Sequence, residues 1–145
     1  MLTMKVIKAQ VMGSCFGVER ALNILAQQCL IITDKPLYTY GSLIHNKEVL
    51  KQISDFGIKE INETGDNIPG SIIIRAHGID SKKYEEFKAA GFTIVDATCP
   101  IVKKNILKVL VETNPILYIG ERKHSETISY RDSAKVPFFV IDEVE

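Results

Sequence analysis

The stretch "FTIVDATCPIVKKNILKVLVETNPILYIG", Phe92 to Gly120, decides the fold. Its two ends, "FTIVDA" and "PILYIG", are short runs rich in β-branched and aromatic residues, the pattern of buried strands. Between them "PIVKKNILKVLVET" spaces its apolar residues as a helix does. Pro100 stands in the first helical turn, where its missing N–H would have had no intrahelical partner. A strand, a helix and a strand in so short a span make a βαβ unit, and such units build parallel sheets.

The same alternation extends outward in both directions. "KVIKAQV" (5–11) reads as a strand and "GVERALNILAQQ" (17–28) as a helix with Val18, Ala21, Leu22, Leu25 and Cys29 on one apolar face. Cys29 is therefore expected in the core. "PLYTYG" predicts a second strand, followed by a helix over "NKEVLKQISDFG" closed by Gly57. "SIIIRA" is strongly β-like, and "DSKKYEEFKAAG" predicts a helix capped by Asp80 or Ser81 and ended by Gly91. "PFFVID" supplies a last strand. The expected fold is α/β: a parallel sheet of βαβ units with helices on both faces, and a ligand site at the carboxyl ends of the strands.

Composition narrows the function. The chain has 145 residues, 46% of them hydrophobic, enough for a packed core. Eighteen basic and eighteen acidic residues cancel, which gives no support to nucleic acid or a membrane as partner. No apolar run is long enough to cross a bilayer, and "MLTMKVIKAQ" lacks the parts of a signal peptide. Three widely spaced cysteines do not form a secreted disulfide framework, so the expected location is cytoplasmic.

The chemically active residues collect where strands end. Cys15 follows the first expected strand, His45 the second, His77 the third, Cys99 the fourth and His124 the fifth. A helix N-terminus carries partial positive charge and favours a thiolate, which can bind a metal, cycle through a disulfide or act as a nucleophile. Each thiol would equally suit simple packing in a βα turn. Three imidazoles near helix starts make an anion cradle, above all for phosphate. Gly78 lets the backbone approach a ligand, and Glu126, two residues past His124, can move protons. Zinc and an iron–sulfur cluster are both compatible with the cysteine spacing.

Five segments in order, "GSCFGVERA", "LIHNKEV", "RAHGI", "DATCPIVKK" and "HSE", resemble the 4-hydroxy-3-methylbut-2-enyl diphosphate reductases, the LytB/IspH-type iron–sulfur enzymes. "DATCP" followed by "VKK" is the most specific of them. The resemblance covers the N-terminal part of a family about twice this length. On that basis residues 1–96 are expected to form an N-terminal α/β domain and 97–145 the start of a second, similar one. The resemblance implies the last step of the non-mevalonate isoprenoid pathway, in which an allylic diphosphate is reductively dehydroxylated to isopentenyl and dimethylallyl diphosphates. It further implies a [4Fe-4S] cluster with Cys15 and Cys99 as two of three cysteine ligands, His45, His77 and His124 around the diphosphate, and His124 with Glu126 as catalytic groups. An external electron donor is implied as well. The family's third cluster cysteine, its serine–asparagine motif and a threonine near the substrate hydroxyl have no counterpart here. Phe16 replaces a smaller residue, and Ser125 stands where the family commonly has proline. A zinc or thiol-redox module and a non-catalytic diphosphate binder are the alternative readings.

Overall fold

The computed structural model describes residues 4–10, 12–32 and 35–142. Among the described residues, five helices and six strands follow one another as α1 (Phe16–Ile31), β1 (Leu37–Tyr40), α2 (Lys47–Asp55), β2 (Lys59–Ile61), β3 (Ser71–Ile74), α3 (Ser81–Ala89), β4 (Thr93–Asp96), α4 (Pro100–Val111), β5 (Ile116–Ile119), α5 (Ser125–Ser133) and β6 (Phe138–Ile141). The strands form two sheets, one of order β2-β1-β3-β4 and a smaller one of β5-β6. Every pairing is parallel, as the βαβ pattern predicts.

The larger sheet owes its position to strand periodicity. Ile73 faces a core with Ala21 and Leu25 of α1, Ile53 of α2, Leu43 and Ile44. Its neighbour Ile72 faces the other side, where Phe87 of α3 packs with Tyr38, Ile61 and Phe92. Successive strand residues point to opposite faces, so β3 is buried throughout. Helices cover both faces of this sheet. In the smaller sheet Tyr118 packs edge-on against Tyr130 of α5, with ring centroids 5.8 Å apart. Leu117, Ile119 and Phe139 point the other way and are exposed.

Local signals set most helix ends. Asn46 caps α2 by accepting from the N–H groups of Glu48 and Val49, and Asp80 caps α3 by accepting from Lys83. Gly57 and Gly91 follow α2 and α3 with φ of +76° and +85°, the left-handed conformation that glycine adopts without a Cβ penalty.

Three expectations need correction. Residues 5–10 form no strand and are exposed, and Val11 lies outside the described residues. A strand is stabilised by a neighbour's hydrogen bonds, and this segment pairs with none among the described residues. Cys15 is therefore placed by the start of α1 rather than by a strand end. Cys29 is exposed, not core. It lies in the last turns of α1 with exposed Leu30 and Ile31, one turn beyond Leu25, the last buried residue of the helix. Two elements went unpredicted: β2, a three-residue edge strand, and α5, whose polar sequence "SETISYRDS" lacks a marked apolar stripe.

Candidate functional site

Three strand ends bring the histidines together. His45 lies just before the α2 cap Asn46, in the loop after β1. His77 occupies the turn after β3, closed by the Gly78 N–H donating to the Arg75 carbonyl at 3.0 Å. His124 follows β5 as the N-cap of α5. Their ring centroids stand 5.0 Å (His45–His77), 6.1 Å (His45–His124) and 5.5 Å (His77–His124) apart. One ring nitrogen from each lies within 4.8 Å of the others.

Such spacing suits either a cation or an anion, and the hydrogen bonds of His124 discriminate. Its Nδ1 accepts the Glu126 backbone N–H at 3.2 Å. In the neutral ring the proton then sits on Nε2, which is a donor. A cation needs a free lone pair from each ring, whereas an oxygen anion needs N–H groups. The N-termini of α2 and α5 add partial positive charge beside His45 and His124. An anion fits this cradle better than a metal ion.

Protonation follows from crowding. Burial, reinforced by nearby His45, Arg75 and His124, lowers the His77 pKa from 6.5 to about 4. At neutral pH it is an uncharged ring. Its Nδ1 is buried without a hydrogen-bond partner, as is Arg75 Nε, the only two such side-chain atoms among the described residues. An unpartnered buried polar atom is costly unless a ligand satisfies it.

Cys99 stands next to this cradle. Its N–H donates to the carbonyl of Ala76, the residue before His77, at 2.9 Å. A Cβ added to Gly78 would come within 3.0 Å of Ile106 Cδ1 and 3.4 Å of Thr98 Cγ2, so the glycine allows the two turns to pack closely. Cys99 and Cys15 are the N-caps of α4 and α1, and neither makes a side-chain capping bond. Their sulfurs converge on Gly17: a Cβ there would lie 2.9 Å from Cys99 Sγ and 3.9 Å from Cys15 Sγ. The two thiols thus flank a common space that a side chain at position 17 would fill. Cys29 cannot join them. At about 1.5 Å rise per residue it stands roughly 20 Å along α1 from Cys15.

Several supporting residues escape a motif-by-motif reading. Asp96 accepts the Thr98 N–H at 2.9 Å through Oδ1 and Lys103 Nζ at 2.6 Å through Oδ2, binding the Cys99 turn to the first turns of α4. Burial raises the Asp96 pKa, but these hydrogen bonds outweigh it and hold the carboxyl below its usual value. Glu126 accepts from the Tyr130 hydroxyl at 3.4 Å, and that hydroxyl accepts from Asn105 Nδ2 at 3.4 Å. Burial pushes the Tyr130 phenol up, so it remains a donor. The spacing of Asp96 and Lys103 across one turn was a readable signal; the Tyr130 contact depends on how α4 meets α5.

Fold and site together define a parallel α/β protein with three clustered imidazoles beside a thiol pair. The profile of the LytB protein family matches residues 6–145, and the chain belongs to that family. It is 34% identical over 152 aligned positions to the 4-hydroxy-3-methylbut-2-enyl diphosphate reductase of Caldanaerobacter subterraneus subsp. tengcongensis, covering 98% of this chain and 51% of the relative. It is 36% identical over 128 positions to that of Alkaliphilus oremlandii, covering 86% and 46%. Among solved structures, a 4-hydroxy-3-methyl-but-2-enyl diphosphate reductase described as the terminal enzyme of the non-mevalonate pathway superposes with a TM-score of 0.76 at 29% identity, over 91% of this chain and 49% of that one. The reductase from Plasmodium falciparum gives 0.80 at 30% identity, over 89% and 42%. The chain spans about half the length of the curated relatives it matches.

Proposed function

We propose that this chain supplies the diphosphate cradle and two cluster ligands of a 4-hydroxy-3-methylbut-2-enyl diphosphate reductase. The observation that carries the proposal is the convergence of His45, His77 and His124 from three strand ends beside Cys99. In this reading the ring N–H groups donate to diphosphate oxygens, and the α2 and α5 N-termini oppose its charge. The buried, unpartnered Nδ1 of His77 gains its missing partner.

Cys15 and Cys99 would hold two irons of a [4Fe-4S] cluster, and the glycine between them leaves the room it needs. When bound, that cluster supplies the electron transfer, fed by an external donor. The net reaction consumes two electrons and two protons: the hydroxyl leaves as water, and a hydrogen ends on the allyl carbon. His124 orients the diphosphate through Nε2–H, and Glu126 holds the proton for the leaving hydroxyl, its carboxylate steadied by Tyr130. Residues 1–96 and 97–145 act here as an N-terminal domain and the beginning of a second. A cytoplasmic location belongs to the same proposal. No helix among the described residues is long and apolar enough to cross a membrane.

Anaerobic reconstitution with iron and sulfide, then iron counting and turnover with a reduced dye, tests this. Two thiolates leave the cluster one cysteine short of the set that the family resemblance implies. The 145-residue chain should therefore hold iron weakly and turn over little, and fusing the C-terminal half of a relative should restore both. Absence of turnover in the fusion, with the cluster fully loaded, would refute the proposal.

A further inference from the structure

Arg20 lies on α1 one turn beyond Gly17. Its Nη1 donates to the Thr98 carbonyl at 3.0 Å and its Nη2 to the Asp96 carbonyl at 3.4 Å. These are the only side-chain hydrogen bonds between α1 and the β4–α4 turn among the described residues. That turn is already fixed on its other sides. Cys99 N–H bonds to Ala76 on the β3 side, and the Asp96 carboxylate holds Thr98 and Lys103.

Cys15 has no comparable support among the described residues. It is exposed at the bare N-terminus of α1, with no side-chain cap, and residues 12–16 around it are exposed too. Its place relative to Cys99 depends on how α1 sits on the sheet. Ala21 and Leu25 bury the helix, but apolar packing resists small rolls and slides of a helix less than directed hydrogen bonds do. The close approach is demanding: Gly17 sits so near Cys99 that even a methyl group would meet its sulfur at 2.9 Å.

We propose that Arg20 is a positioning residue that sets the separation of the Cys15 and Cys99 sulfurs by tying α1 to the carbonyls of the turn that carries Cys99. The inference rests on the reading that these two thiols share one ligand, and it adds what holds them at the required distance. Arginine suits the task because its rigid fork reaches two carbonyls at once, which a lysine ammonium on a flexible stem does less well.

A trivalent arsenical, phenylarsine oxide, closes a ring only over two thiols held close together. It therefore reads the pair without a cluster. The full 145-residue chain carrying Cys29→Ser, reduced and metal-free, is titrated with it beside the same chain with Arg20→Met or Arg20→Lys. The parent should bind one equivalent, and Cys15→Ser or Cys99→Ser should abolish binding. Arg20→Met should weaken binding by about tenfold or more, as expected for loss of a charge-assisted bond, at unchanged helix content by circular dichroism. Arg20→Lys should fall between, and it decides the matter if Arg20→Met does not fold. Anaerobic reconstitution adds a second readout: less iron bound and a broadened paramagnetic resonance signal in Arg20→Met. If Arg20→Met or Arg20→Lys binds the arsenical as tightly as the parent, the positioning role is wrong while the shared site stands. If the parent itself binds none, the shared site fails and the positioning role with it.

Discussion

The two sheets bring residues to one site from unlike surroundings. β3 of the larger sheet is buried along its whole length, with α1 and α2 on one side and α3 on the other. β5 of the smaller sheet alternates between half-buried and exposed residues, and Leu117 and Ile119 are 64% and 72% exposed. His45, His77 and Cys99 hang from the first sheet; His124 and Glu126 hang from the second. The cradle thus has a rigid wall and a more loosely supported one. Hydrogen bonds of the turn before α5 compensate in part: Thr127 Oγ1 donates to the Glu121 carbonyl at 2.8 Å, and the His124 N–H does so at 3.1 Å.

Deleting equivalent isoleucine methyl groups tests that contrast most strongly. Ile73→Ala empties a fully buried position and should cost about 2–5 kcal/mol in urea unfolding. Ile119→Ala on the open face should stay within about 0.5 kcal/mol. Equal losses would mean that the two sheets are equally packed.

Acidification should strain the rigid wall next. The His77 pKa falls from 6.5 to about 4 on folding, so between those values the unfolded chain binds a proton that the folded chain refuses. The His77 contribution is constant above pH 6.5 and lowers stability as pH falls from there to about 4, on the order of 1–2 kcal/mol after allowance for screening. Asp96 acts in the same direction at lower pH, its stabilisation being lost as pH falls through its depressed pKa. His77→Asn should flatten the loss between pH 6.5 and 4. An NMR titration of His77 with a midpoint near 6.5 would contradict this account.

A smaller effect separates the two caps that flank the cradle. Asn46 satisfies two backbone N–H groups of α2, and Asn46→Ala should cost about 1 kcal/mol. His124 accepts from one N–H through a ring nitrogen, a weaker cap, and His124→Ala should cost only a few tenths of that. A larger loss at position 124 would mean that the imidazole holds α5 in place rather than facing a ligand.

Much of this arrangement is legible in the sequence because it is local. "SIIIRA" and "FTIVDA" carry strand patterns, Asp80 and Gly91 bracket α3, and Pro100 marks the start of α4, so the histidines and Cys99 fall at strand ends by simple alternation. What was not legible depends on partners far along the chain. "KVIKAQV" has the composition of a strand, yet pairing is a tertiary property and residues 5–10 pair with no strand among the described residues. "KEI" becomes β2 only because β1 offers it an edge. Cys29 follows the periodicity of α1 but outruns the surface that would bury it. The tautomer of His124 and the reach of Arg20 to Thr98 likewise arise only when distant segments meet.

The central claim is that three imidazoles from the two sheets form one anion cradle. Titration of the 145-residue chain with inorganic diphosphate, followed by histidine ring NMR, tests it most directly. His45, His77 and His124 should shift together with one binding constant. His124 should keep its proton on Nε2, and the His77 midpoint should rise from about 4 as the anion offsets its burial. Shifts confined to a single ring, or none at all, would contradict the claim, as would a His124 proton found on Nδ1.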